Sequence, residues 1–322
     1  MNRQDHGQKI AKSARFRLVL CFSLCALAFS SSARALNFRT THQVSDIAVG
    51  DINGDGLDDI VTCGDSSGRS SVDVLLGNGD GTFQRRIPAP VGSGPGALAL
   101  GDFNRDGNLD VVTANFGSAE TPGKTVSLLL GRGDGTFAKP QDFLVGTQPN
   151  SIAVTDLNGD GFLDLVIGES SRFVLLFGDG AGGFEVSPGA DLPDFTESIA
   201  IGDINGDGIV DVVAGNTVVT GLVISLGKPD GTFKSAVTVP LGQIIVHPVL
   251  VDLNGDGLSD LVCILASFDN NVSVYLNSGN GQFGQVFDVG AVSTVDDFTL
   301  TDVNNDGQAD LVITVNSSPD RP

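Results

Sequence analysis

The chain has 322 residues, 39 Asp and Glu against 18 Lys and Arg, a net charge of −21 and 43 glycines. This balance excludes a nucleic-acid binder working through basic patches, and a hydrophobic content of 41% excludes a disordered acidic tail. Glycine without a G-X-Y period and only 13 prolines exclude collagen, and the length suffices for one large or two ordinary domains.

The chain opens with Arg3, Lys9, Lys12, Arg15 and Arg17 against a single acid, Asp5, followed by an apolar run from Leu18 to Phe29. A bilayer-spanning helix needs about 20 apolar residues, so this run is too short to span. Ser30, Ser31 and Ser32 follow, then Ala33-Arg34-Ala35, a small-x-small cleavage site. The segment 1–35 therefore reads as a secretory signal peptide, with the mature domain running from 36 to 322. A lipid anchor is disfavoured because Leu20 and Leu24 precede Cys21 and Cys25 where a small residue is expected. Cleavage after Ala35 leaves 12 bases, 38 acids and two cysteines, Cys63 and Cys263. They sit at offsets of opposite parity after their loops, hence on opposite strand faces, and read as two buried thiols rather than a disulfide.

The rest of the chain is repetitive. The pattern D-x-N-x-D-G-x-x-D occurs six times, beginning at Asp51, Asp102, Asp156, Asp203, Asp252 and Asp302. A second motif alternates with it: LLGNGDGTF ending at Phe83, LLGRGDGTF ending at Phe137, SLGKPDGTF ending at Phe233, and weaker copies ending at Phe184 and Phe283. From each of these phenylalanines to the next loop's first Asp is 19 residues. In each repeat a short apolar strand such as Ile47-Ala48-Val49 enters the Asp loop. A second, such as Leu165-Val166-Ile167, leaves it. A third, such as Val126 to Leu130, leads to the Gly-rich turn and a fourth, less regular strand. No segment carries a helical period. Four strands per ~50 residues, repeated about six times, predict an all-β fold, a β-propeller of four-stranded blades. A parallel β-helix is the alternative, with shorter rungs expected. The last repeat ends after Val312-Ile313-Thr314-Val315 without its Gly-rich hairpin, so the sixth blade is expected to be incomplete, with residues 37–44 available to supply an outer strand.

Each loop places Asp at positions 1 and 5, Asn at 3 and Asp at 9, with Gly at 6 permitting the sharp turn. With the carbonyl of position 7, this is a hard-oxygen donor set suited to Ca²⁺ rather than Zn²⁺. The candidate ligands are Asp51, Asn53, Asp55, Leu57 and Asp59 in the first loop, and Asp102, Asn104, Asp106, Asn108 and Asp110 in the second. The third offers Asp156, Asn158, Asp160, Phe162 and Asp164, and the fourth Asp203, Asn205, Asp207, Ile209 and Asp211. The fifth offers Asp252, Asn254, Asp256, Leu258 and Asp260, and the sixth Asp302, Asn304, Asp306, Gln308 and Asp310. An EF-hand needs Glu at position 12, where this chain has Thr62, Thr113, Ile167, Ala214, Cys263 and Ile313, so these are β-hairpin loops and not EF-hands.

Through these loops and the GNGDGTF turns, over roughly Asp46 to Val315, the chain resembles the FG-GAP/VCBS repeat family, whose calcium-binding blades also occur in integrin α subunits. The resemblance implies a propeller, often seven-bladed, with Ca²⁺ in the loop joining the first two strands of a blade; up to six Ca²⁺ are expected here. The family's ligand positions map onto all six loops, with Asn in the third place. The count of six and the missing hairpin depart from it.

Arg132-Gly133-Asp134 spells an integrin-recognition tripeptide, but the same turn reads Asn78-Gly79-Asp80 and Lys228-Pro229-Asp230 in other repeats, so it is turn variation. The two mature histidines, His42 and His247, sit in no recognisable motif, and no acid pair is placed for general acid–base work, so the protein is expected not to be an enzyme. The expected function is an exported, calcium-binding scaffold for protein binding or adhesion. Its partner is expected to be an extracellular protein in preference to a glycan, with no nucleic acid and no transmembrane segment, and its location secreted or extracytoplasmic. A Ca²⁺-dependent polysaccharide lyase or another carbohydrate-active propeller enzyme is the alternative. Eighteen loop Asp account for most of the mature charge, so the acidity speaks mainly of metal.

Overall fold

The computed structural model describes residues 18–22 and, with short breaks, 43–315. Residues 1–17, 23–42, 67–68, 81, 119, 194–195, 267–270, 280, 290–294, 302–309 and 316–322 lie outside the described residues. Among the described residues every regular element is a strand. Strand β1 (Leu18–Phe22) stands apart from the repeats. The first sheet is a meander of β2 (Gln43–Gly50), β3 (Asp59–Ser66), β4 (Arg69–Leu75) and β5 (Ile87–Pro90). The second holds β6 (Pro95–Gly101), β7 (Asp110–Gly117), β8 (Pro122–Leu129) and β9 (Gln141–Leu144). The third holds β10 (Ser151–Thr155), β11 (Asp164–Gly168), β12 (Arg172–Gly178) and β13 (Phe184–Asp191).

The fourth and fifth repeats form one seven-stranded sheet: β14 (Thr196–Gly202), β15 (Asp211–Asn216), β16 (Thr220–Ser225), β17 (Val237–Val251), β18 (Asp260–Leu265), β19 (Asn271–Asn277) and β20 (Phe283–Val289). The 15-residue β17 pairs with β16 through Val237–Val239 and, past a register shift, Ile244, and with β18 through Ile245–Val251, and so serves as outer strand of one repeat and first strand of the next. Gly242, at φ +77°, lies between the two halves. The last repeat contributes β21 (Val295–Thr301) and β22 (Asp310–Val315). Where every other repeat has an antiparallel third strand, β22 is flanked by β1, running parallel. The leader reading otherwise lies outside the described residues; of residues 37–44, expected as a closing outer strand, 37–42 lie outside them too, and Gln43 and Val44 instead begin β2 of the first sheet. The antiparallel meanders exclude the β-helix alternative and leave four-stranded sheets of the propeller-blade kind.

Sequence and burial agree on why the second strands are continuous apolar runs. Strands β11, β15 and β18 are buried at every position, on both faces, while the outer β5 and β9 are largely solvent-facing. A central strand buried on both faces must lie in a sheet that is itself covered on both sides. The hydrophobic clusters show by what. Val61, Val72 and Val74 of the first sheet share a core with Leu98, Val111 and Leu129 of the second. The same arrangement joins second to third, third to fourth, fourth to fifth, and fifth to the last through Phe298 and Leu311. No sheet owns its core; each is built with the next repeat, as in repeat arrays generally. The outermost β5 is short and carries Pro88 and Pro90, which removes donors from an exposed edge.

Consecutive antiparallel pairing fixes the placement of the loops. In each of the first five repeats the Asp loop joins strands one and two, and the Gly-rich turn joins strands three and four. Both therefore emerge at the same end of the sheets.

Candidate functional site

The five Asp loops among the described residues share one hydrogen-bonding pattern. In the first, Asp51 accepts the backbone N–H groups of Asp55 (3.1 Å) and Gly56 (2.8 Å). Asp55 Oδ1 accepts the N–H of Leu57 (2.9 Å), and its other oxygen accepts Asn53 Nδ2 (2.8 Å). The N–H of Asp55 also points at Asn53 Oδ1 (3.0 Å). The position-1 and position-5 bonds recur in the loops beginning at Asp102, Asp156, Asp203 and Asp252. Short carboxylates closing such turns on nearby amides are the local reason Asp and Asn occupy these places. Position 4 needs a left-handed backbone: Gly54, Gly159, Gly206 and Gly255 have φ between +71° and +78°, and Arg105 adopts +58° in the second loop.

The ninth residue is placed differently. Asp59, Asp110, Asp164, Asp211 and Asp260 are fully buried. One oxygen accepts the N–H of position 2 in the same loop, as Phe103 to Asp110 at 2.9 Å. The other accepts an amide at the start of the Gly-rich turn: Gly77 to Asp59, Gly131 to Asp110, Gly178 to Asp164, Gly227 to Asp211 and Asn277 to Asp260, at 2.7–2.8 Å. These residues thus join the loop to the third strand. The residues at position 12 that exclude an EF-hand are buried in the exit strands of these five loops.

In four of the five repeats this joint is a glycine with no room for a Cβ. A Cβ at Gly131 would sit 2.2 Å from the carbonyl oxygen of Leu109, and the equivalent places at Gly77, Gly178 and Gly227 are as tight. In the fifth repeat Asn277 stands there and donates its Nδ2 to the matching carbonyl, Ser259 O, at 3.0 Å. Sequence reasoning missed this partnership. The Asp-to-amide separation ranges from 14 to 21 residues with the length of the intervening hairpin, so no fixed spacing marks it.

Burial pushes the Asp110 carboxyl up to about 6, helped by the negative charges of Asp106 and Asp102. Burial first, then the same kind of neighbours, raises Asp164, Asp211 and Asp260. The exposed Asp106 is held below the usual carboxylate range by the N–H of Asn108 and the amide of Asn104. In the Gly-rich turns, Thr82, Thr136 and Thr232 donate both hydroxyl and amide to Asp80, Asp134 and Asp230, which are likewise lowered. Asp134 of the Arg-Gly-Asp tripeptide is therefore bonded as its counterparts are. Cys63 and Cys263 are buried and not joined in a disulfide, as the strand parity implied. Exposed His247 engages Ser198 Oγ through its backbone N–H.

Among the described residues no three His, Cys, Asp or Glu side chains are grouped as a metal cage. What converges in each of the five loops is the carboxylate of position 1 and the amide oxygen of position 3, both accepting the N–H of position 5. The position-5 carboxylate beside them accepts the position-7 N–H and, in the first four loops, the position-3 amide, as in Asp51, Asn53 and Asp55. In the first loop each carboxylate oxygen of Asp51 and Asp55 accepts one bond and keeps a lone pair, whereas Asp203 Oδ1 in the fourth accepts three N–H groups; all are hard oxygens, and by that chemistry the donor set fits Ca²⁺. The sixth loop, Asp302 to Gln308, lies outside the described residues.

Comparison with known proteins follows the same repeats. The FG-GAP-like repeat model matches residues 51–113, 116–167, 156–214, 203–263 and 252–313. Over 82 residues the chain is 32% identical to a T-cell immunomodulatory protein homolog of Plasmodium yoelii yoelii; the match covers 22% of this chain and 12% of that protein. Among solved structures, an Agrocybe aegerita lectin that recognises non-reducing terminal N-acetylglucosamine is similar at a TM-score of 0.53 and 24% identity, over 78% of this chain and 67% of that one. A Lactobacillus plantarum protein is similar at a TM-score of 0.56 and 13% identity, over 84% and 78%. The five matches run from the first Asp loop to the strand after the sixth, and the chain belongs to the FG-GAP-like repeat family.

Proposed function

We propose that the protein is an exported binding scaffold of β-propeller type, stabilised by Ca²⁺ in its Asp loops, and not an enzyme. The observation that carries this reading is the recurrence of one carboxylate-and-amide arrangement in five loops at one end of the sheets. The Asp at position 1, the Asn at position 3 and the Asp at position 5 of each loop would hold the ion. It would supply positive charge where carboxylates otherwise repel one another. Extracellular calcium modules bind with Kd near 10⁻⁴–10⁻³ M, so at about 1 mM Ca²⁺ each site at the tight end stabilises by about 1.4 kcal/mol. Melting the mature protein with Ca²⁺ and with chelator tests this; an unchanged midpoint rejects it.

A protein partner is favoured over a glycan. The chain has no Trp, its one Tyr, Tyr275, is buried, and the large hydrophobics exposed among the described residues are all aliphatic. A sugar-stacking platform wants an exposed aromatic. The likeness to the lectin keeps a terminal sugar as the second class, and a calcium-dependent polysaccharide lyase as the enzymatic rival. A protein pull-down and a glycan array, each with Ca²⁺ and with chelator, separate the two partner classes. Turnover of an acidic polysaccharide, lost on mutating one loop Asp without loss of stability, would favour the lyase.

A further inference from the structure

The third Asp loop rests on the second, and the fifth on the fourth. Arg105, at position 4 of the second loop, lies over the ring of Phe162, at position 7 of the third, 5.4 Å from its centroid. Gly206, at position 4 of the fourth loop, faces Leu258, at position 7 of the fifth, so closely that a Cβ there would be 3.1 Å from Leu258 Cδ2. The next residue, Ser259, donates its backbone N–H to the carbonyl of Asp203 at 3.2 Å. The Gly-rich turns repeat the relationship. A Cβ on Gly231, in the turn of the fourth repeat, would meet Asn158 Cβ of the third loop at 3.3 Å. Phe162 of the third loop and Leu258 and Ser259 of the fifth, which lie between the exposed Asp of position 5 and the buried Asp of position 9, are thus seated on the preceding loop.

We infer that the loops are energetically coupled from one repeat to the next, so that a cation held in one loop raises the affinity of its neighbour. The inference rests on the calcium reading above. Ordering one loop fixes the surface on which positions 7 and 8 of the next must settle. The second loop then has less conformational freedom to lose when it binds. Because the contacts between these loops join consecutive repeats, the coupling is of nearest-neighbour kind.

Calorimetric Ca²⁺ titration of the full chain tests it. The wild type is expected to bind with a Hill coefficient above 1. The variant Asp156→Asn/Asp160→Asn, which disables the third loop, is expected to weaken the remaining sites several-fold on average as well as removing one. Arg105→Gly restores the residue that most loops carry at position 4 and removes the contact to Phe162, so it keeps the site count while lowering the Hill coefficient. A wild type that binds several ions with a Hill coefficient of 1, or remaining sites of unchanged affinity in the double variant, overturns the coupling and leaves the calcium reading standing. Absence of any calcium binding by the wild type overturns both. If the double variant does not fold, an unchanged Hill coefficient in Arg105→Gly is itself decisive against the coupling.

Discussion

Asp110 Oδ1 accepts the backbone N–H of Gly131 at 2.7 Å, across 21 residues of chain, while Oδ2 of the same side chain accepts Phe103 N–H at 2.9 Å. One buried carboxylate thereby fixes a loop and a turn that come from different hairpins. Asp110→Asn keeps the shape but replaces one acceptor by a donor that faces an N–H. Loss of a buried, charged acceptor is expected to cost about 1.5–3 kcal/mol, read as a lowered urea midpoint. A midpoint equal to that of the wild type would show that the joint carries no stability.

The same residue sets a pH dependence. Asp110 has its carboxyl pushed up to about 6, and Asp164, Asp211 and Asp260 are raised in the same direction. An acid whose folded value exceeds its unfolded value binds protons more readily when folded. Its stabilising contribution is complete below the unfolded value near 4 and is lost as pH rises through the folded value. With chelator present, the melting midpoint is therefore expected to rise between pH 7 and pH 5. In saturating Ca²⁺ the trend is expected to weaken or reverse, because protons and metal compete for the carboxylates. Midpoints at pH 5, 6 and 7 under both conditions check the sign.

Gly131→Ala brings a Cβ to 2.2 Å from a backbone oxygen that cannot rotate away, and is expected to destabilise by about 1–3 kcal/mol. Gly131→Asn introduces the same Cβ but gives the side chain the bond that Asn277 makes to Ser259 O. It is expected to be the milder of the two, and chemical denaturation of both variants ranks them.

At the opposite end of the sheets, buried Glu169 is paired with half-exposed Arg172 at 2.7 Å through one oxygen, and its other oxygen has no hydrogen-bond partner. The side chain is pressed onto Gly146 in the connection entering its own repeat. Arg172→Ala leaves a buried carboxylate uncompensated and is expected to cost about 2 kcal/mol, reduced from the fully buried case by the exposure of Arg172. Glu169→Gln, which removes the buried charge, is expected to cost less. If Arg172→Ala proves the milder of the two, the pair does not stabilise the fold.

Much of the architecture was legible because it is written in short-range pattern. The strands at Ile47–Val49, Leu165–Ile167 and Val272–Leu276 follow from β-prone runs between Gly and Asn. The loop turns follow from Asp and Asn closing on amides a few residues away. The burial of Cys63 and Cys263 followed from strand parity and the apolar runs that hold them. The seven-stranded sheet was not legible. A Gly-rich turn before Val237 and an Asp loop after Val251 bound one long run, and only pairing to β16 and β18 shows that a single strand serves two repeats.

The sequence by itself determined the repeat, the order of strands within it, and which end carries the Asp loops, because each depends on neighbours within about ten residues and on antiparallel return. The tertiary structure decided that Asp59, Asp110, Asp164, Asp211 and Asp260 turn inward to the Gly-rich turns, that each core is shared by two sheets, and that β1 flanks β22. A buried carboxylate takes whichever amide the folded chain brings to it, and an apolar face takes whichever sheet arrives to cover it. Neither choice is made by residues close in sequence.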